Sequence, residues 1–240
     1  MRSTVTLGLA LALCVLIAGP LSAAQISGSA ATPGNVNLTS EGTADWIHWG
    51  QTNSTTVNRK SGGGSQLSNL TLINNVTNSA KARLTDSASK VTWTDGTPTA
   101  SVTNIPNGVY INNFDGPGRG FEFTAPADLL ERILKVYLGE YNATGTIQAF
   151  LSDSSAPMYT DTLTGATDST VQGVYTLHYT AASAGQNLTV RWKESAKLGA
   201  ADNVTIQAAT LQVAFIPEPA TLGLLSSGLA LLAMRRRTKR

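Results

Sequence analysis

Residues 188–193 read Leu188-Thr189-Val190-Arg191-Trp192-Lys193, an apolar residue alternating with a polar one at every step. Successive side chains of a strand point to opposite faces, so this stretch belongs to a β-strand with one face in a core and one in water. Short alternating segments of this kind, bounded by Gly, Asn, Asp, Pro and Ser, recur from residue 35 to residue 215, and no sustained helical period interrupts them. Strands are expected at 45–49, 91–94, 120–124, 133–141, 146–151, 174–179, 188–193 and 204–215. They are enriched in Thr, Val, Tyr and Trp, as a half-buried pleated surface favours. Asp95-Gly96, Pro106-Asn107-Gly108 and Asp115-Gly116 supply turns between them. The one helical candidate within this region is a short turn at 126–131. The expected fold class is all-β: an antiparallel β-sandwich, jelly-roll-like. An N-terminal signal helix and a short C-terminal hydrophobic helix would flank it.

The chain of 240 residues carries 17 Lys and Arg against 15 Asp and Glu, a net charge of +2. That sum misleads. Arg2, Arg235, Arg236, Arg237, Lys239 and Arg240 lie at the ends together with one acid, Glu218, leaving 11 basic and 14 acidic residues between them. The body is mildly acidic and has no electrostatic footprint for nucleic acid. The single cysteine, Cys14, sits in the N-terminal apolar run. A mature chain without it forms no disulfide and has no thiolate metal site or cysteine nucleophile.

Both ends read as targeting segments. Arg2 precedes an apolar stretch from Leu7 to Ala18, then Gly19-Pro20 and small residues at Ser22-Ala23-Ala24. This is the layout of a cleavable secretion signal over 1–24, handled by Sec-type export machinery, with Gln25 first in the mature chain. The other end, 216–240, reads Ile216-Pro217-Glu218-Pro219, an uncharged apolar run to Met234, then a basic cluster of Arg235, Arg236 and Arg237. The prolines Pro217 and Pro219 allow neither helix nor sheet to continue through Glu218. As a helix the run from 220 to 234 would span only about 22 Å, less than the roughly 30 Å of a bilayer's hydrocarbon core. It reads as a marginal membrane anchor, with its basic end on the cytoplasmic side.

The joint pattern of Pro217-Glu218-Pro219, an apolar helix and a terminal Arg cluster resembles the PEP-CTERM sorting signal of Gram-negative bacteria. The resemblance implies recognition and processing by a membrane-embedded exosortase, and delivery to the cell envelope or extracellular matrix. A simple C-terminal anchor would need only the helix and the charges. Within the body, residues 37–50, Asn37-Leu38-Thr39-Ser40-Glu41-Gly42-Thr43-Ala44-Asp45-Trp46-Ile47-His48-Trp49-Gly50, resemble the opening of a jelly-roll module of large secreted bacterial proteins. That module is similar to galactose-binding-like carbohydrate-binding domains, so an exopolysaccharide is the expected ligand class. The domain between the signals, 25–215, is expected to fold as one unit.

Asp45, Trp46 and His48 are the candidate ligand contacts. On a strand Trp46 and His48 share one face, and Ile47 and Trp49 the other. One aromatic could meet a sugar ring while the other is core. The competing reading buries Ile47 and Trp49 and packs Trp46 under a loop, because Trp is usually highly buried. Trp93 and Trp192 read as core. His48 and His178 are the only histidines, too few for a transition-metal site without further ligands, and Asp153, Asp161 and Asp168 read as turn residues rather than calcium ligands. Glu41 with Asp45, or Glu131 with Glu140, could be imagined as glycosidase acids, but no spacing fixes a carboxyl separation. The run Gly62-Gly63-Gly64 lacks a phosphate-loop lysine and reads as a flexible loop. No catalytic residue, metal or cofactor is expected. The leading expectation is an exported, non-enzymatic, exopolysaccharide-binding protein. A secreted glycan hydrolase and a purely structural or adhesive matrix protein are the alternatives.

Overall fold

The computed structural model describes residues 23–74, 81–112 and 117–214. The segments 1–22 and 215–240 lie outside them, and with them the two helices expected at the ends and the sorting residues Pro217, Glu218, Pro219, Arg235, Arg236 and Arg237. Among the described residues no helix is long and apolar enough to cross a membrane.

The described chain is almost entirely strand. It opens with β1 (Gln25–Ala31), β2 (Val36–Asn37), the single-turn helix α1 (Leu38–Glu41), β3 (Asp45–Trp49) and β4 (Val57–Lys60). Short elements follow: β5 (Thr71–Ile73), β6 (Lys81–Leu84), β7 (Val91–Trp93), β8 (Gly96–Thr97), β9 (Val102–Ile105) and β10 (Gly108–Asn112). The long strands are β11 (Gly120–Ala127), β12 (Arg132–Tyr141), β13 (Ala143–Leu151), β14 (Tyr159–Leu163), β15 (Thr170–Thr180), β16 (Gln186–Lys197) and β17 (Asn203–Val213). Every expected strand up to residue 213 is present. The turn at 126–131 is not helical: Pro126 and Ala127 end β11, and Asp128 then organises a tight reversal. The helix that does form, α1, is capped by the Asn37 side chain accepting from the Thr39 amide at 3.1 Å.

Two antiparallel sheets make the sandwich. The larger has nine strands in the order β1-β15-β12-β17-β3-β4-β8, with β10 beside β3 on β17 and β6 on β10. The smaller is β14-β13-β16-β11-β5. Alternation does what 188–193 announces: Leu188, Val190 and Trp192 of β16 face inward. There they meet Leu134, Val136 and Leu138 of β12, Tyr175 and Leu177 of β15, and Ile47 and Trp49 of β3. Each such side chain contributes about 1.5–3 kcal/mol by leaving water.

Of a third sheet, β2-β7-β9, only the middle strand was legible in the sequence; β2 and β7 are parallel, and β9 is antiparallel to β7. It lies on the outer face of the large sheet. Val36, Leu38, Val91 and Trp93 there enclose Trp46, Tyr137 and Ala208 in a second apolar cluster. The large sheet is therefore buried on both faces where β3, β12 and β17 run together. The burial pattern of β17, eight buried residues in succession, records this.

Candidate functional site

The structure places Asp45, Trp46 and His48 at zero exposure. This corrects their assignment as ligand contacts, because a polysaccharide cannot reach a fully buried side chain. The face assignment holds: Ile47 and Trp49 enter the sandwich core, while Trp46 and His48 point outward and are roofed by the third sheet. The Trp46 and Trp93 rings lie 5.2 Å apart, and His48 sits 5.0 Å from Trp93. Trp46 Nε1 donates to Asp95 Oδ1 at 2.9 Å, and Lys60 Nζ meets Asp95 Oδ2 at 2.5 Å. Burial opposes ionisation of Asp95, but the donors Lys60, Thr39 and Trp46 outweigh it and hold the carboxyl below its usual range. His48 Nε2 contacts the Asn107 carbonyl oxygen at 3.0 Å, so this nitrogen carries the proton, and burial lowers the ring's pKa to about 4. Burial raises the pKa of Asp45, against amide hydrogen bonds from Leu67 and Trp46. A Cβ on Gly63 would stand 2.3 Å from Asp45 Oδ1, so this glycine lets the chain pass close over the carboxylate, while Gly62 and Gly64 face open space.

The glycosidase pairings do not form. Glu41 Oε2 accepts from Lys135 Nζ at 2.8 Å and Tyr137 Oη at 2.6 Å, whereas Asp45 is fully buried and accepts from the Trp46 and Leu67 amides. Glu131 contacts His178 at 2.8 Å just before β12, whereas Glu140 lies near that strand's far end. Nine residues of strand separate them by about 30 Å, far beyond the ~5–10 Å over which two carboxyls flank one glycosidic bond. Asp153 is a turn residue, accepting from the Ser155 amide at 3.1 Å, but Asp161 lies in β14 rather than in a loop. No three His, Cys, Asp or Glu side chains gather as a metal site among the described residues.

The third sheet covers only part of the outer face, and the uncovered part is a cleft of about 310 Å³, at the lower end of the ~300–1,000 Å³ typical of ligand sites. Its floor is built by register. Tyr110 and Asn112 of β10 stand opposite Thr205 and Asn203 of β17, and across β17 come Gly139 and Tyr141 of β12, then Gln172 and Thr170 of β15. All of these alternate with inward-facing core residues such as Ile111, Val204 and Leu138. Gly139 keeps the floor low, since a Cβ there would approach Thr205 Oγ1 to 2.7 Å. One wall is the segment from Leu84 to Ser89. Gln172 pins it, donating to Ser87 Oγ at 2.7 Å and accepting from the Ser89 amide at 2.9 Å.

The cleft offers two half-exposed tyrosine rings among amide, hydroxyl and one carboxylate group, that of Asp86. Among the described residues neither Tyr110 nor Tyr141 has a hydrogen-bond partner for its hydroxyl, and Asn203 Oδ1 is buried without one. Apolar ring faces beside unsatisfied neutral donors and acceptors suit a polyhydroxylated ligand. A second depression, about 470 Å³, is lined by residues 71–74 with Gly118, Glu122, Arg191 and Lys193, and has no aromatic ring in its lining. Sequence reasoning missed the cleft. Its one sign in the sequence is the pair Tyr137 and Tyr141 in β12, each two places from Gly139 and on the face opposite Leu134, Val136 and Leu138.

Below the cleft, two carboxylates enter the interior from opposite sheets. Glu140 continues the inward face of Leu134, Val136 and Leu138, and Glu194 that of Val190 and Trp192; both are fully buried. Burial, and then the nearby Glu194 charge, raise the Glu140 pKa to about 8, so Glu140 is protonated at neutral pH.

Comparison with known proteins adds the C-terminal address. The family model described as the PEP-CTERM protein-sorting motif matches residues 215–237. The chain carries that motif, which marks an exported protein of the cell surface or extracellular space with an exosortase as its processing partner. Among curated proteins none matches the chain. Of solved structures, it is similar to TmCBM61 in complex with β-1,4-galactotriose, at 11% identity and a TM-score of 0.39, over 61% of this chain and 90% of that one.

Proposed function

We propose that the protein is a non-catalytic, polysaccharide-binding component of the cell surface or extracellular matrix of a Gram-negative bacterium. It is exported by Sec-type machinery with residues 1–24 as signal, held briefly in the inner membrane by its tail, and released to its destination by an exosortase. Residues 25–215 are the working domain and 216–240 the sorting segment. The observation that carries the binding reading is the cleft, with Tyr110 and Tyr141 as ring platforms and Asn112, Asn203, Thr205 and Asp86 as polar partners. The separated or buried positions of the carboxylates support binding without hydrolysis.

The test is polysaccharide pull-down with mature protein from the producing host, including the host's own exopolysaccharide. Retention that a neutral oligosaccharide competes away supports the reading. Failure to bind any polymer overturns it, and release of reducing ends would move the protein to the glycan hydrolases. For the sorting part, intact mass of the surface protein should lack the residues after the Pro217-Glu218-Pro219 motif, and Glu218→Gln should leave them attached.

A further inference from the structure

The two ends of the sandwich differ in chemistry. Gln25 pairs with Thr180, and Arg132 with both Tyr179 and Val213, so β1 begins and β17 ends at the same end of the large sheet's strands. Both flanking segments therefore join the body at one end. The cleft residues Tyr141, Thr170 and Asn203 lie at the other, about 30 Å away along β12.

The end that carries the termini is also the apolar one. Leu129, 43% exposed, and Leu130, 54%, lie in the turn between β11 and β12, and Val213, 43%, ends β17 beside it, where the Ala214 amide donates to the Glu131 carbonyl at 2.8 Å. Met158, 52% exposed, lies in the neighbouring 152–158 loop. The turn is braced. Asp128 Oδ1 accepts from the Leu130 amide at 2.8 Å, its Oδ2 meets Arg132 at 2.7 Å, and its carbonyl accepts from Ala181 at 2.8 Å. Two consecutive leucines are thus held out from a pinned turn instead of folding back. Scattered exposed leucines need no explanation, but a braced apolar tip does.

The chain leaves the body beside this tip. Only five residues separate Ala214 from the uncharged run that begins at Ala220, a reach of at most about 20 Å. With the tail in a bilayer, the tip stands at the lipid surface. We propose that Leu129, Leu130 and Val213 form a lipid-contacting foot that seats the body on the membrane and turns the cleft outward. This rests on the membrane-held stage of the proposed function. The charges at the tip pair locally, Arg132 with Asp128 and His178 with Glu131, so the contact is apolar and does not depend on anionic lipid.

The experiment uses the full chain in a Cys14→Ser background, reconstituted into dioleoylphosphatidylcholine vesicles. Leu130→Cys, or Ala201→Cys at the lip of the cleft, carries an environment-sensitive fluorophore, and spin-labelled lipid quenches it. The expected result is strong quenching at position 130, several-fold above position 201, unchanged when anionic lipid is added. Equal quenching at the two positions in chains that float with the vesicles overturns the foot while leaving the tail's insertion standing. Chains that do not float overturn both. Equal quenching combined with loss of exosortase processing in Leu129→Asp/Leu130→Asp would assign the tip to the enzyme and overturn the lipid contact.

Discussion

Trp46 and Asp95, 49 positions apart, are joined by a 2.9 Å hydrogen bond from the indole nitrogen to the carboxylate, and this bond fastens the third sheet's loop to the large sheet. The same carboxylate receives the Thr39 hydroxyl at 2.5 Å and the Lys60 ammonium at 2.5 Å. Asp95→Ala should strand three donors and cost about 2–4 kcal/mol, lowering Tm by roughly 5–15 °C. Trp46→Phe keeps the packing, leaves the carboxylate two donors and should cost less, about 1–2 kcal/mol. Urea unfolding of the two variants checks the order; equal losses would remove Asp95 as the hub.

Tyr110 and Tyr141 are half-exposed and have no hydroxyl partner among the described residues, so truncating them should spare the fold. Tyr110→Ala and Tyr141→Ala are each expected to weaken polysaccharide binding about 5- to 30-fold, with Tm within about 2 °C of the parent. Isothermal titration and thermal unfolding on the same samples separate the two effects. Tyrosine-independent binding would move the site off this cleft.

The buried Glu140 sets the alkaline side of stability. Its folded pKa is raised from 4.5 to about 8, so the folded state holds a proton that the unfolded state releases. Its contribution is complete below pH 4.5 and is lost as pH rises to about 8. Thermal stability should therefore decline as pH rises from 4.5 to about 8, and Glu140→Gln, which stays neutral, should flatten that decline. An unchanged slope in the variant would assign the decline to another group.

The buried His48 acts on the acid side with the opposite sign. Its folded pKa is lowered from 6.5 to about 4, so the unfolded state takes up the proton first. The stability it lends is present above pH 6.5 and is lost as pH falls toward 4. The imidazole signals of His48 should still report a neutral ring with the proton on Nε2 at pH 5. A titration midpoint near 6.5 would mean the ring is reached by water.

The sandwich was legible because its main strands alternate over six residues or more. In 188–193 every second side chain is apolar, and each of those, Leu188, Val190 and Trp192, is in the core. Of the third sheet only the middle strand, expected at 91–94, was legible, because flanking strands of two to four residues such as Val36–Asn37 and Val102–Ile105 carry no readable period. That omission misplaced the ligand contacts. The outward face of 45–49 looks identical in sequence whether a ligand or a further layer covers it, and here Val91 and Trp93 do. The cleft was illegible for a related reason. Asn112 and Asn203 read as ordinary solvated positions until β10 and β17 bring them opposite one another.

The place of β17 in the sheet bears on timing. The last strand of the body is also a central one, bonded to β12 along one edge and to β3 and β10 along the other. A chain threaded outward from its N-terminus can assemble the smaller sheet and the β1-β15-β12 edge early. It cannot join β3 and β10 to that edge until residues 203–213 have emerged. In a chain exported in that order the two halves of the large sheet would stay apart until its last strand had emerged, so the fold would be completed only as the residues next to the sorting motif followed.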